Sequence, residues 1–360
     1  MAIYKEKFHS FDALRFFSFF IVFLSHLPYT LFNNLDFLNV DGTIGVYFFF
    51  TLSGFLITYI LLFEKTTSND FNFKNFFVRR ALRIWPLYYL VLLFAFCSSY
   101  IISLLNLPSS NVGYEPNWLM SSFFLENYMV IYHNEYANVS PLPVLWSLCV
   151  EEHFYIIWGV LLYFIKTRKV PVFIVLFIVL AFVSRLFFYK HDLLFKDILT
   201  NIDFFMFGAI PAYLFINHKE KTIQYVNKIS LLVKVLLIAA TIIYVFASSH
   251  LVFEYSKLVH PLVFGLLFSA IIFVFLPQEN KLKISDSAVF SRLGIYTYSL
   301  YLLHVIVIHL IIQLFNKFQV NFEDTSVYFI LLALGLTILA SYLSYILIEK
   351  PFLRLKKFFK

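Results

Sequence analysis

The sequence predicts an all-α fold: a polytopic transmembrane bundle of about ten helices with both termini cytoplasmic. Three observations predict it. Hydrophobic residues make up 61% of the 360-residue chain and charged residues only 14%, against roughly 25% charged in a soluble domain. Apolar runs of about 20 residues, the length that crosses a bilayer core, recur along the whole chain. Lys and Arg gather in alternate connections between those runs.

The spans fall at about 11–32, 44–63, 84–105, 142–165, 170–189, 198–217, 229–248, 257–276, 294–315 and 326–348. With the N-terminus inside, 21 of the 28 Lys and Arg lie in inside segments and 4 in outside segments. Lys5, Lys7, Lys65, Arg79, Lys219 and Lys360 are among the inside set. Connections 33–43 and 106–141 carry no Lys or Arg, and a bias this strong supports an even number of spans with both ends inside. The longer one holds Pro108, Gly113, Pro116 and Pro141 and an aromatic stretch from Trp118 to Tyr132, expected to lie at the interface or to re-enter. The chain reads as one domain over 1–360, with no internal repeat. The mean hydropathy of +0.81 agrees.

Composition also excludes functions. The net charge of +7 lies in short loops between apolar runs, so nucleic acid is not the partner; membrane lipid is. Cys97 and Cys149 both fall in apolar stretches, which argues against a disulfide framework. No zinc helix, Gly-rich phosphate loop or nucleophile elbow occurs. No metal and no permanently bound cofactor is expected.

Ionisable residues inside spans carry the functional signal, because each costs about 2.5–3.5 kcal/mol at mid-membrane on insertion scales. The first span has Asp12, Arg15 and His26. Arg15 and His26 are 11 residues apart, so they project from one helix face about 16 Å apart in height. The plain alternative is that Arg15 snorkels to lipid phosphate and His26 caps a backbone group. The fourth span has Ser147, Glu151 and Tyr155 on one face at i, i+4 and i+8, with Glu152 beside them. Two adjacent carboxylates there need a cation, a proton or water; a structural tie to an Arg or His on another helix is the alternative. Arg79, Arg80 and Arg83 stand at the cytoplasmic entry of the third span, and Arg80 and Arg83 share a face. They read either as a phosphate site or as a positive-inside anchor. His304 is mid-span, either lining the same cavity or resting in the core. Asp203 and Arg185 are candidates for a structural pair.

These groups, in this order, resemble the membrane-bound acyltransferase-3 family. The first span resembles its opening, Phe-Asp-Ala-Leu-Arg15 followed by Ser25-His26. Gly45-Val-Tyr-Phe-Phe-Phe-Thr-Leu-Ser53-Gly54-Phe resembles the family's Gly-Val-x-x-Phe-Phe-x-x-Ser-Gly-Phe. Arg80-Ala-Leu-Arg83-Ile-Trp-Pro86 resembles its Arg-x-x-Arg segment. Trp146-Ser-Leu-Cys-Val-Glu151-Glu152-His-Phe-Tyr155 resembles its Trp-Ser-Leu-x-x-Glu-Glu-x-Phe-Tyr. Tyr298-Ser-Leu-Tyr-Leu-Leu-His304 and Glu349-Lys-Pro-Phe resemble its closing segments. The likeness runs from about residue 11 to 353. It departs at Tyr47, where many members have Asp, so no acceptor-side role is carried to that position. It departs also at Phe16, His153 and Asn201.

The resemblance implies O-acylation of a carbohydrate, with acetyl-CoA (acyl-CoA) as co-substrate, in the bacterial inner membrane. It implies His26 as general base, with Glu151 and Arg15 beside it in the catalytic set. Arg79, Arg80 and Arg83 would hold the CoA phosphates. Asp12, Ser53, Ser147, Glu152, Tyr155 and His304 would support. The chain leaves no room for the extracytoplasmic hydrolase-like domain that some members carry. The acceptor ranges over envelope and exported glycans and lipid-linked oligosaccharides, and nothing in the sequence sets an oligomeric state. The competing class is a transporter of a glycan or lipid-linked precursor, whose buried charges would gate a pathway. No inverted repeat supports it.

Overall fold

The computed structural model describes residues 6, 8–28, 31, 40–68, 72–104, 112–320 and 326–359. Lys5, Lys7, Lys360, Pro108, most of the 33–43 connection and the last residues expected of the first and third spans lie outside the described residues.

All ten expected spans are helices: α1 (Phe11–Ser25), α2 (Thr43–Ser68), α3 (Phe73–Leu104), α6 (Leu145–Phe164), α7 (Val170–Lys190), α8 (Ile198–Asn217), α10 (Leu231–Ala247), α11 (Ser256–Phe275), α13 (Thr297–Lys317) and α14 (Ser326–Ser344). Between them lie the shorter α4 (Trp118–Ser122), α5 (Glu126–His133), α9 (Lys219–Lys228) and α12 (Val289–Gly294), with α15 (Lys350–Leu355) at the end. Among the described residues, eight helices are long and apolar enough to cross a membrane, and nine if α9 and α10, bent by 89°, count as one span. This is an integral membrane protein. The helix α1 is the short one. Its 15 residues cover about 22 Å at 1.5 Å per residue, less than the roughly 30 Å of a hydrocarbon core.

Two expectations shift. The helix α3 begins at Phe73, about ten residues before the expected third span, so the arginine cluster sits inside a helix rather than ahead of one. Helix geometry outlasts membrane depth here, because nothing between Phe73 and Ile84 breaks a helix. The aromatic connection packs against the middle of α3. The Phe124 ring stacks on Tyr88 at 4.1 Å, and the Tyr88 hydroxyl donates to the Ser121 carbonyl at 2.6 Å. Tyr88 is halfway along α3. Ser121, Glu126 and Asn127 are fully buried, and the Glu126 carboxylate accepts from Ser121 Oγ at 2.5 Å and from the Tyr114 hydroxyl.

The helices α2 and α8 form the centre, with 72% and 78% of their apolar windows buried, while α7 and α14 at 22% form the lipid-facing rim. α2 is tied to α6 by Trp158 Nε1–H donating to Thr58 Oγ1 at 2.8 Å. Lys65 at the end of α2 caps the last carbonyls of α6, Leu162 and Ile165, at 2.6 Å each. Arg79 bonds both Glu64 and the Phe359 carbonyl, and Lys219 pairs with Glu6. The described chain ends therefore lie at one end of the bundle.

Arg185 on α7 and Asp203 on α8 pair as expected, with 1% and 0% of their side chains exposed. Arg185 Nε also donates to the Thr200 carbonyl at 2.8 Å. Cutting one partner strands a buried charge. Asp203→Leu alone is expected to cost about 3–5 kcal/mol, whereas Asp203→Leu with Arg185→Met returns most of it. Thermal unfolding of the three proteins in one detergent checks this.

Candidate active site

Five helices line an open cavity of about 110 Å³. α1 gives Arg15, α2 gives Val46, Phe49, Phe50 and Ser53, α3 gives Arg80 and Arg83, α6 gives Ser147, Glu151 and Tyr155, and α13 gives Thr297, Tyr298 and Tyr301. The i, i+4, i+8 spacing on α6 thus turns Ser147, Glu151 and Tyr155 into one space, and the i, i+3 spacing on α3 does the same for Arg80 and Arg83. From Val46 to Ile57 the α2 lining runs 11 residue steps, about 16 Å of depth. The arginines mark the end nearest the chain termini, while Ser147, Tyr301 and Val46 mark the other.

Glu151 is the hub. Its Oε1 accepts from Ser53 on α2 and from the Tyr155 hydroxyl at 2.5 Å. Those bonds fix the carboxylate across two helices, beside the guanidiniums that line the same cavity. Arg15 Nη1 pairs with Asp12 one turn earlier at 2.5 Å. Ser147 Oγ and the Tyr301 hydroxyl share a hydrogen bond of 2.7 Å. The Tyr298 hydroxyl donates to the Ile84 carbonyl at 2.6 Å, which places α13 against α3.

Some expected site residues stand elsewhere. Arg79 makes a two-pronged pair with Glu64, at 2.7 and 3.0 Å, and does not line the cavity. Glu152 is buried but points off the lining, with Oε1 unpartnered. His26 closes the C-terminus of α1 and is also off the lining. Its Nδ1 lies 2.8 Å from the Val22 carbonyl. A carbonyl only accepts, so Nδ1 carries the proton and Nε2 keeps a lone pair. His304 packs edge-on against it, ring centroids 4.8 Å apart, and follows cavity-lining Tyr301 by one turn of α13. Arg15 thus lines the cavity, while His26, just past the end of α1, packs on His304 instead.

Sequence reasoning missed Thr297, Tyr298 and Tyr301 as lining residues. The signal was present: Tyr298, Tyr301 and His304 recur at i, i+3 and i+6, a helix-face spacing. Among the described residues, no group of His, Cys, Asp and Glu could hold a metal ion.

The family of sequences described as acyltransferase domain, acyltransferase-3, matches residues 8–346. The chain belongs to the acyltransferase-3 family. Within it, the peptidoglycan O-acetyltransferase OatA of Listeria monocytogenes is 34% identical over 175 residues, covering 47% of this chain and 26% of that protein. The O-acetyltransferase OatA of Staphylococcus aureus is 30% identical over 165 residues, covering 44% of this chain and 25% of that protein. The matched stretch is thus about a quarter of the length of these curated relatives. No solved structure matches. In this acyltransferase-3 chain the opening, Ser-Gly-Phe, Arg-x-x-Arg, Glu-Glu and Tyr-Ser-Leu-Tyr segments, far apart in sequence, each supply a lining residue of one cavity.

Proposed function

We propose that this chain is an inner-membrane O-acetyltransferase that moves an acetyl group from acetyl-CoA to a hydroxyl of a cell-envelope glycan, with His26 as general base. One observation carries it: Arg15, Arg80, Arg83 and Glu151 converge on one cavity, and His26, with Nδ1 taken by the Val22 carbonyl, packs on His304, which follows lining Tyr301 by one helical turn. Family membership and the names of the relatives point the same way.

In this reading both termini are cytoplasmic, and the donor enters from that side. Arg80 and Arg83 take its phosphates, and Arg15 holds the arm further in. The thioester then lies near Ser147 and Tyr301, where a glycan hydroxyl meets it. The hydroxyl oxygen bonds to the carbonyl carbon as His26 Nε2 takes its proton, the C–S bond breaks, and the thiolate leaves as CoA. The proton held by His26 then passes to the thiolate, so the products are the O-acetyl glycan and CoA-SH. Glu151 balances the guanidinium charge. An apolar surround limits loss of the thioester to water.

The test is acetyl-CoA consumption by the purified protein in lipid nanodiscs, with a panel of envelope glycans including peptidoglycan fragments. Glycan-dependent release of CoA supports the reading. Absent turnover and absent acetyl-CoA binding, with glycan movement across liposomes instead, would replace it with a transporter.

The arginines separate by partner. Arg83→Ala removes charge-assisted bonds to the donor and is expected to raise the acetyl-CoA KM about 10–100-fold. Arg79→Ala, whose guanidinium is engaged by Glu64 and Phe359, is expected to leave that KM nearly unchanged and to lower thermal stability instead. Steady-state kinetics and unfolding of the two variants decide it.

A further inference from the structure

Resting on that reading, we propose that His304 is a positioning residue that stabilises the imidazolium formed at His26. The side chain of His304 is 0% exposed. Its Nδ1 lies 2.6 Å from the Tyr301 carbonyl, which can only accept, so Nδ1 carries the proton and Nε2 carries a lone pair. Among the described residues that Nε2 has no hydrogen-bond partner. A buried acceptor left unpaired is costly and is rarely kept without a role. Its nearest ionisable neighbour across the helix interface is His26, whose own Nδ1 is taken by Val22. The other ionisable group acting on it is His309, on its own helix. The Phe19 ring of α1 closes a further side, edge-on at 5.8 Å.

Both imidazoles are therefore pinned through Nδ1 to backbone carbonyls, and only the Nε2 positions remain for proton chemistry. When His26 is neutral, the His304 lone pair has no donor among the described residues. When His26 takes the acceptor's proton, a cation forms on the ring packed edge-on against His304, centroids 4.8 Å apart. The interaction is strongest in the charged state, which is the condition for lowering a barrier rather than tightening ground-state binding. An Asp would do this electrostatically at the cost of burying a permanent charge. A neutral imidazole supplies the lone pair without it.

The experiment compares His304→Asn with His304→Gln in nanodiscs. Asn keeps an amide donor for the Tyr301 carbonyl and lacks the distal acceptor. It is expected to lower kcat about 10–100-fold with the acetyl-CoA KM within about two-fold of wild type. Gln puts an amide oxygen near the place of Nε2 and is expected to recover a large part of kcat. Unchanged kcat in His304→Asn, or a donor KM that rises with no recovery in His304→Gln, overturns the proposal. A second readout holds even where no acetyl transfer is found, which would sink the functional reading itself. In ¹⁵N-histidine NMR of the wild type, His304 is expected as the Nδ1–H tautomer, and His304→Asn is expected to move the His26 Nε2 signal. An Nε2–H tautomer at His304, or an unmoved His26 signal, overturns the pairing.

Discussion

Gly54→Ala is expected to leave little folded protein in the membrane. α2 and α8 touch backbone to backbone at this point. A Cβ on Gly54 would sit 2.0 Å from the Phe205 carbonyl oxygen, and a Cβ on Gly208 would sit 1.9 Å from that of Thr51. The obstacle in each case is another helix's main chain, so no side-chain rotation relieves it. The two most buried helices must separate, and close approach through small residues is what holds helices together where lipid removes the hydrophobic drive. Overpacking costs about 1–3 kcal/mol in forgiving cores and more where backbone must move. The effect reaches the site, because Ser53 is the next residue and bonds Glu151. The control is Gly335→Ala, where an added Cβ meets nothing. That change is expected to be neutral or to stabilise by about 0.5–1 kcal/mol through helix propensity. The monodisperse fraction after solubilisation and the Tm of each variant measure both. A Gly54→Ala protein that purifies and melts like wild type would mean that α2 and α8 do not meet here.

Much of this was legible in the sequence, and the reasons are particular. All ten expected segments are helical, eight or nine of them long and apolar enough to cross a membrane, because lipid leaves the backbone no alternative to the helix. Ser147, Glu151 and Tyr155 were grouped correctly because helix geometry alone puts i, i+4 and i+8 on one face. The Arg185–Asp203 pair was legible because two opposite charges in hydrocarbon have few other options. Partners between helices were not legible. The sequence grouped Arg79 with Arg80 and Arg83, since adjacency is all it shows. The fold sends Arg79 a third of a turn away, to Glu64 and Phe359. Glu151 was expected beside His26 and Arg15 in the catalytic set, and its hydrogen bonds run to Ser53 and Tyr155. Crossing angles and helix rotations set such contacts, and no single-chain pattern encodes them.

His26→Ala is expected to lower kcat about 10²–10⁴-fold, the usual worth of a positioned general base, while acetyl-CoA binds as before. The second half of that expectation comes from depth. The donor's expected contacts, Arg15, Arg80 and Arg83, line the cavity, and His26 does not. Binding and proton transfer are thereby assigned to opposite ends of a space about 16 Å deep, and mutations at the two ends should act on different constants. Arg83→Ala is expected to move KM and His26→Ala to move kcat, and the double variant should show near-additive losses, since the residues share no partner. His26→Ala should also keep its Tm. The imidazole's hydrogen-bond contacts go to Val22 at 2.8 Å and Ser25 at 3.3 Å in its own helix turn, and the Val22 carbonyl retains Ser25 Oγ at 2.8 Å. Single-turnover kinetics with radiolabelled acetyl-CoA would separate the steps. A His26→Ala protein that transfers acetyl at the wild-type rate would remove the base from this residue and leave Glu151, the carboxylate that lines the cavity itself, to take the proton.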